Sequence, residues 1–251
     1  MGIEDVLYSI GEKTEETARR VLGSLRFLLF PSPSDTPPTP GPIEKSIKRV
    51  LTPHELVSLR LQLGFLTYLL AGLAVVFVGS WRGYLLLTVV YFLYLRSFLI
   101  ANRDFFIEYE PYRAFYLGLS VIAATAYGGY LLVRELKPKP LYFYLYLVIV
   151  SLVVFIFRYW FKSKYGRDYT YGVVEEVKND LVRVFVHDDI AANVKPGYYW
   201  VPKVEDVKPG RVVKLLVENE TLRSAKPVRI IEVYIGDQSS ESETTPKDEM
   251  E

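Results

Sequence analysis

Four apolar runs constrain this chain more than any other feature: Gln62–Gly79, Tyr84–Ala101, Ala114–Val133 and Leu141–Phe161, of 18, 18, 20 and 21 residues. A helix rises ~1.5 Å per residue and a bilayer core is ~30 Å thick, so each run is long enough to span. Lipid offers backbone groups no hydrogen-bond partner, which forces helices; a closed barrel would need alternating rather than continuous apolarity. Between Gln62 and Phe161 there are only 12 charged residues in 100, against 30 Lys and Arg plus 29 Asp and Glu in the whole chain. The expected fold is therefore a helical membrane protein with four transmembrane helices, flanked by polar regions of different character.

The ends of the runs fit this reading. Trp81 and Tyr84 flank the first tight turn, and Tyr142, Tyr144, Tyr159 and Trp160 mark both ends of the fourth run, where amphipathic rings sit at headgroup level. Ser80–Gly83 and Arg134–Pro140 are short connections, so each pair of runs is an antiparallel hairpin. The middle loop, Asn102–Arg113, mixes charges with Phe105, Phe106, Ile107 and Tyr109, which suit the interface. Lys45, Lys48, Arg49, Arg60, Arg103, Arg113, Lys162, Lys164 and Arg167 fall on one side. Arg82, Arg134, Lys137 and Lys139 fall on the other. This bias predicts a multi-pass protein of the plasma membrane with both termini in the cytoplasm. No secretory signal pattern opens the chain, and Val6 stands where a myristoylation site needs Ser or Thr.

What the runs lack is as informative. No Asp, Glu, His or Lys lies inside them, which argues against ion-coupled transporters, proton pumps and intramembrane proteases. With no cysteine and two histidines in the chain, thiol catalysis, cysteine zinc sites and iron–sulfur clusters are excluded. No cofactor or metal site is expected, and no catalytic residue is identified. Arg96 and Arg158 sit near the cytoplasmic ends of their spans and are candidate lipid-headgroup contacts, with Arg96 within reach of Asp104 or Glu108. In the third span Ser120, Ala124 and Gly128 recur every four residues. They form a small-residue face for helix packing within the bundle or for an oligomer contact.

The flanking regions divide as follows. Residues 1–30 read as an amphipathic cytoplasmic helix, and 31–42 (PSPSDTPPTPGP, six prolines in twelve) as an extended tether that lets that helix act away from the bundle. The membrane bundle occupies 43–161. Thr52-Pro53-His54-Glu55 carries an N-cap threonine, a first-turn proline and a capping-box glutamate. A helix should start there and run into the first span, leaving His54 on its surface.

From 162 to 235 the period becomes two. Tyr169–Lys178, Leu181–His187, Tyr198–Val201, Arg211–Glu218 and Val228–Tyr234 read as five strands of a small OB- or SH3-like barrel, with a hairpin turn at Asn179-Asp180. Its 13 Lys and Arg against 11 Asp and Glu disfavour nucleic acid as the partner. Tyr198, Tyr199 and Trp200 are the candidate partner surface, although alternation should turn at least one ring inward. His187-Asp188-Asp189 reads as a turn rather than a metal or acid–base cluster. Residues 236–251 carry six acids and one lysine, and read as a disordered acidic tail.

The layout, with TPHELVSLR and VFVHDDIAANVKPGYYWVPK, resembles an uncharacterised archaeal membrane family, domain of unknown function 2101. The resemblance covers most of the chain beyond the tether. It implies an integral membrane protein of hyperthermophilic archaea and brings no activity with it. A fainter similarity is to the small-conductance mechanosensitive channel family, through Gly172-Val173-Val174 and Trp200-Val201-Pro202. The bulky fourth span (LYFYLYLVIVSLVVFIF) departs from that family's glycine- and alanine-rich pore helix. The functional expectation is a non-enzymatic, membrane-anchored scaffold whose β-domain or N-terminal helix takes a protein partner. The alternative is a channel or facilitator assembled as a homo-oligomer.

Overall fold

The computed structural model describes residues 12, 14–17, 19, 22, 23, 26, 28–41, 44, 51–136, 139–218 and 224–234. Two compact units divide at Gly166/Arg167. The acidic tail and much of the N-terminal helix lie outside the described residues.

The first unit holds four helices long and apolar enough to cross a membrane: α1 (Pro53–Val78), α2 (Trp81–Ala101), α3 (Tyr109–Glu135) and α4 (Pro140–Tyr165). Each extends beyond its apolar run, because the flanking turns keep their backbone groups satisfied as helix. α1 begins on the expected capping box. Glu55 N–H donates to Thr52 Oγ1 at 3.4 Å, and Thr52 N–H donates to Glu55 Oε2 at 3.1 Å. It ends at Gly79, whose left-handed φ of 75° lets its N–H reach back to Val75 and Val76. The Arg134 guanidinium covers the same terminus, donating to Val76 O at 2.9 Å, so a cation meets the negative end of the helix dipole. Below, the near side means the membrane side of Pro53, Ala101, Tyr109 and Tyr165, and the far side the opposite one.

The helices do not contribute equally. α1, α2 and α3 pack on one another, whereas α4 packs on α3 and buries only Phe161. The core of the three is built from tyrosines. Tyr68 and Tyr91 stack with ring centroids 4.0 Å apart. Tyr127 donates to Leu69 O at 2.8 Å, Tyr84 to Ala124 O, and Tyr146 of α4 to Ala126 O. Three of these rings lie against a residue without a side chain: a Cβ on Gly72 would meet Tyr127 at 2.7 Å, one on Gly129 would meet Tyr146 at 2.9 Å, and one on Gly128 would meet the Tyr84 hydroxyl at 3.3 Å. Glycine lets the ring in, and the carbonyl beyond accepts a proton that lipid could not take.

Two near-side features differ from the sequence expectation. His54 is 6 % exposed rather than on the surface. The Asn102–Glu108 loop folds over the start of α1, placing Phe106 edge-on to the imidazole. Ile107 N–H donates to His54 Nδ1 at 3.3 Å, and His54 Nε2 faces Tyr112 Oη at 3.3 Å. The proline segment, extended as its composition dictates, is also bound to the helices. Within it Ser34 N–H donates to Ala101 O at 2.9 Å and Arg60 to Thr39 O at 2.6 Å, and just before it Ser97 Oγ donates to Leu28 O at 2.8 Å. Arg60 also grips the buried Glu44 at 2.7 and 2.9 Å. These hydrogen bonds hold the Glu44 carboxyl below the usual carboxylate range, with burial opposing and the Gly41 N–H assisting.

The second unit is a curled five-stranded antiparallel sheet, a half-barrel, in the order β3-β2-β1-β4-β5. Its strands are β1 (Tyr169–Lys178), β2 (Leu181–Val186), β3 (Gly197–Pro202), β4 (Val212–Glu218) and β5 (Lys226–Val233). Its concave face is mainly valine: Val174, Val182, Val184, Val186, Val201 and Val213 are buried with Leu215 and Ile230. Edge strands β3 and β5 approach each other, and the chain just before them is joined by a bridge between Val194 and Ala225. Gly172 is required on β1, since a Cβ there would lie 2.8 Å from Phe185 O of the paired strand.

Candidate interaction surface

Alternation along β3 sorts the three aromatic candidates. Tyr199 and Val201 turn inward; the Tyr199 hydroxyl donates to Lys195 O at 2.9 Å, and burial pushes its pKa up. Tyr198 and Trp200 turn outward and remain 54 % and 46 % exposed. Register sets Trp200 opposite Arg183 and Tyr198 opposite Phe185. The Arg183 guanidinium lies between the two exposed rings, 5.5 Å from the Tyr198 centroid and 5.9 Å from that of Trp200. Phe185 packs on Tyr198 at 5.1 Å and His187 stands edge-on to Phe185 at 5.0 Å. The result is one outward row, Trp200–Arg183–Tyr198–Phe185–His187, held across two strands.

A second outward cluster on β1, β4 and β5 escaped the sequence reading, because its members are far apart in the chain. Lys214 Nζ sits 4.4 Å from the Tyr169 centroid, and Tyr171 packs against Tyr169 and Tyr234. Tyr234 donates to Glu232 at 3.0 Å. That carboxylate, then desolvation and the Tyr171 hydroxyl, push the Tyr234 phenol up to about 12. The alternation of YTYGVV was the available signal for Tyr169 and Tyr171.

Both clusters are close to electrically balanced. Arg183 meets Glu176 at 3.3 Å and Glu175 at 3.4 Å, Lys214 meets Glu232 at 3.5 Å, and Arg167 meets Asp189 at 2.8 Å. Asp189 has a structural role. Its carboxylate accepts from Arg167, from Thr170 Oγ1 at 2.6 Å and from Ala192 N–H at 2.9 Å, fixing the loop between β2 and β3. The three residues His187, Asp188 and Asp189 do not converge on one point; the imidazole goes to Phe185 and the Asp189 carboxylate to the loop.

The membrane candidates have separate surroundings. Ser120 is buried, donates to Tyr116 O and accepts from the Tyr91 hydroxyl at 3.0 Å. Ala124 O receives Tyr84, whose ring also lies 3.3 Å from where a Gly128 Cβ would be. This small-residue face is thus covered by α2 of the same chain. Arg96 is exposed and points to Leu29 O at 3.5 Å, rather than to Asp104 or Glu108. Arg158 is exposed on α4.

A four-span helical unit followed by a small curled β-sheet defines a polytopic membrane protein with an appended β-domain. The DUF2101 family, described as a predicted membrane protein, matches residues 25–231. The chain belongs to that family. No curated protein and no solved structure matches it.

Proposed function

We propose that the protein is a non-enzymatic, membrane-anchored scaffold that presents its β-domain to a protein partner on the cytoplasmic side of the plasma membrane. The observation that carries this reading is the outward row of Trp200, Arg183, Tyr198 and Phe185, a large aromatic surface on a domain whose core is already complete without it. Exposed Trp, Tyr and Arg are the residue types that dominate binding energy at protein interfaces. Because Arg183, Lys214 and Arg167 each face a carboxylate, the surface suits a protein better than a polyanion such as nucleic acid. The near side is assigned to the cytoplasm by the excess of Lys and Arg there. Of the far-side cations, Arg134 serves α1 as a cap, which gives it a reason to be where the bias would not place it.

The test replaces Trp200 with a photo-cross-linking amino acid in the full chain within its native membrane. A discrete protein adduct at 200, absent when the probe is at exposed Lys208, is the expected result. Purified protein in liposomes should pass no ions above protein-free liposomes. No adduct together with measurable flux would replace the scaffold by the channel reading. A single cysteine at Lys203 should be shielded from an impermeant reagent added outside intact cells, and one at Arg82 should react.

A further inference from the structure

We infer that the N-terminal segment around Leu22–Phe30 is an interfacial anchor, lying in the headgroup region of the near-side leaflet as a membrane contact additional to the four spans. The residues described between 12 and 29 are helical, and they end where Leu28 O accepts from Ser97 and Leu29 O from Arg96. Ser97 is four residues before the end of α2, so this attachment lies ~6 Å inside the near-side end of that helix at ~1.5 Å per residue. Farther along, Ser34 is bonded to Ala101, the last residue of α2. The chain therefore rises from the level of Ser97 to the helix end over residues 28–34, and the described helical residues before Leu28 start from interfacial depth.

The side chains at this depth are not covered by the protein. Phe30 is 78 % exposed, Leu22 65 % and Leu29 51 %. Leu22 and Leu29 are seven residues apart, two helical turns, and share one stripe; Arg19 and Arg26 are spaced alike and border it on one side. Arg96, also exposed, stands beside Leu29. Apolar side chains bordered by arginines form the amphipathic pattern of a segment lying in the membrane plane, with its stripe among acyl chains and its cations at the phosphates. Leu28 and Leu29 are bonded to α2, one of the helices that the bilayer surrounds. The same depth that makes Phe30 costly to leave in water makes the bilayer the occupant within reach.

Because the chain has no cysteine, single labels test this in the full protein. Leu22→Cys and Phe30→Cys variants, each carrying a nitroxide, are reconstituted in vesicles of equal parts phosphatidylglycerol and phosphatidylcholine. Paramagnetic power saturation then compares access to oxygen, which partitions into lipid, with access to a water-soluble nickel chelate. Labels at exposed Phe155 on α4 and at exposed Lys203 serve as lipid and water references. Both N-terminal sites should fall between Phe155 and Lys203, with oxygen access below that of the mid-span Phe155 label and nickel access several-fold below that of Lys203. Nickel access equal to that of Lys203 would overturn the proposal, as would exclusion of both reagents, which would mean burial in protein. Leu22 precedes the pinned residues, so its label leaves the Ser97 and Arg96 bonds in place and guards against a displaced Phe30 variant.

Discussion

Gly118→Ala is the sharpest probe of how α4 is held. A Cβ at 118 would run into Phe157 Cε2 and lie 2.6 Å from its Cζ, where carbon atoms normally sit about 3.5–4.0 Å apart. The ring must therefore retreat by more than an ångström. It is flanked by Phe115 at 6.2 Å, Trp160 at 5.8 Å and Phe161 at 6.2 Å between centroids, so a retreat disturbs the whole aromatic seam between α3 and α4. Overpacking of this kind costs about 1–3 kcal/mol, and here it falls on the helix that packs on α3. Reversible unfolding in mixed detergent micelles, followed by Trp160 fluorescence in a Trp81→Phe, Trp200→Phe chain, measures it. Phe157→Leu should restore part of the loss in the Gly118→Ala background, with a coupling energy of at least about 0.5 kcal/mol in the double-mutant cycle. An unchanged midpoint for Gly118→Ala, or strictly additive effects of the two substitutions, would refute the close contact.

Three further outcomes are expected. Asp189→Ala removes the acceptor of Thr170 and Ala192 and the carboxylate facing Arg167, and should lower β-domain stability by roughly 3–5 kcal/mol, as for breaking one side of a buried pair; urea unfolding of the full chain read at Trp200 checks it. Tyr127→Phe deletes the bond to Leu69 O and should destabilise the helices by about 0.6 kcal/mol in the micelle assay, with no change in the β-domain. Glu44, just after the proline segment, has its pKa lowered from 4.5 by Arg60, so the docked segment binds a proton less readily than the released one. The pair stabilises docking above that value and loses this as pH falls through the lower docked value. A nitroxide at Thr36→Cys should gain mobility on such acidification, and Arg60→Gln should leave it mobile at neutral pH.

The spans, the capping box at Thr52 and the alternation of the strands could be read from the sequence because each is a local pattern. The solvent that covers them, lipid or water, acts on neighbouring residues alike. His54 could not, since its burial depends on a loop 50 or so residues later folding over α1; a first-turn position says only that the helix itself does not cover the ring. The proline segment showed its extension but not its attachment, because main-chain groups, Thr39 O and Ser34 N–H, and not side chains, meet Arg60 and Ala101. On the candidate surface, β3 alternation separated Tyr199 from Tyr198 and Trp200. That Arg183 stands between the two exposed rings follows from β2–β3 register, which strand spacing alone does not fix.

Three of the tyrosine bonds that join the helices end on main-chain oxygens, those of Leu69, Ala124 and Ala126. Every residue has such an oxygen, so the acceptor survives any replacement at those three positions that keeps the helix. The demand falls on one partner: the phenol must stay and the facing glycine must stay small, while the residue bonded is free to drift. Paired changes between related sequences, the usual signature of touching side chains, would therefore leave no mark at these crossings. A map of this fold drawn from correlated substitutions would miss these three bonds, while a side-chain pair such as Tyr91 and Ser120 could still appear on it.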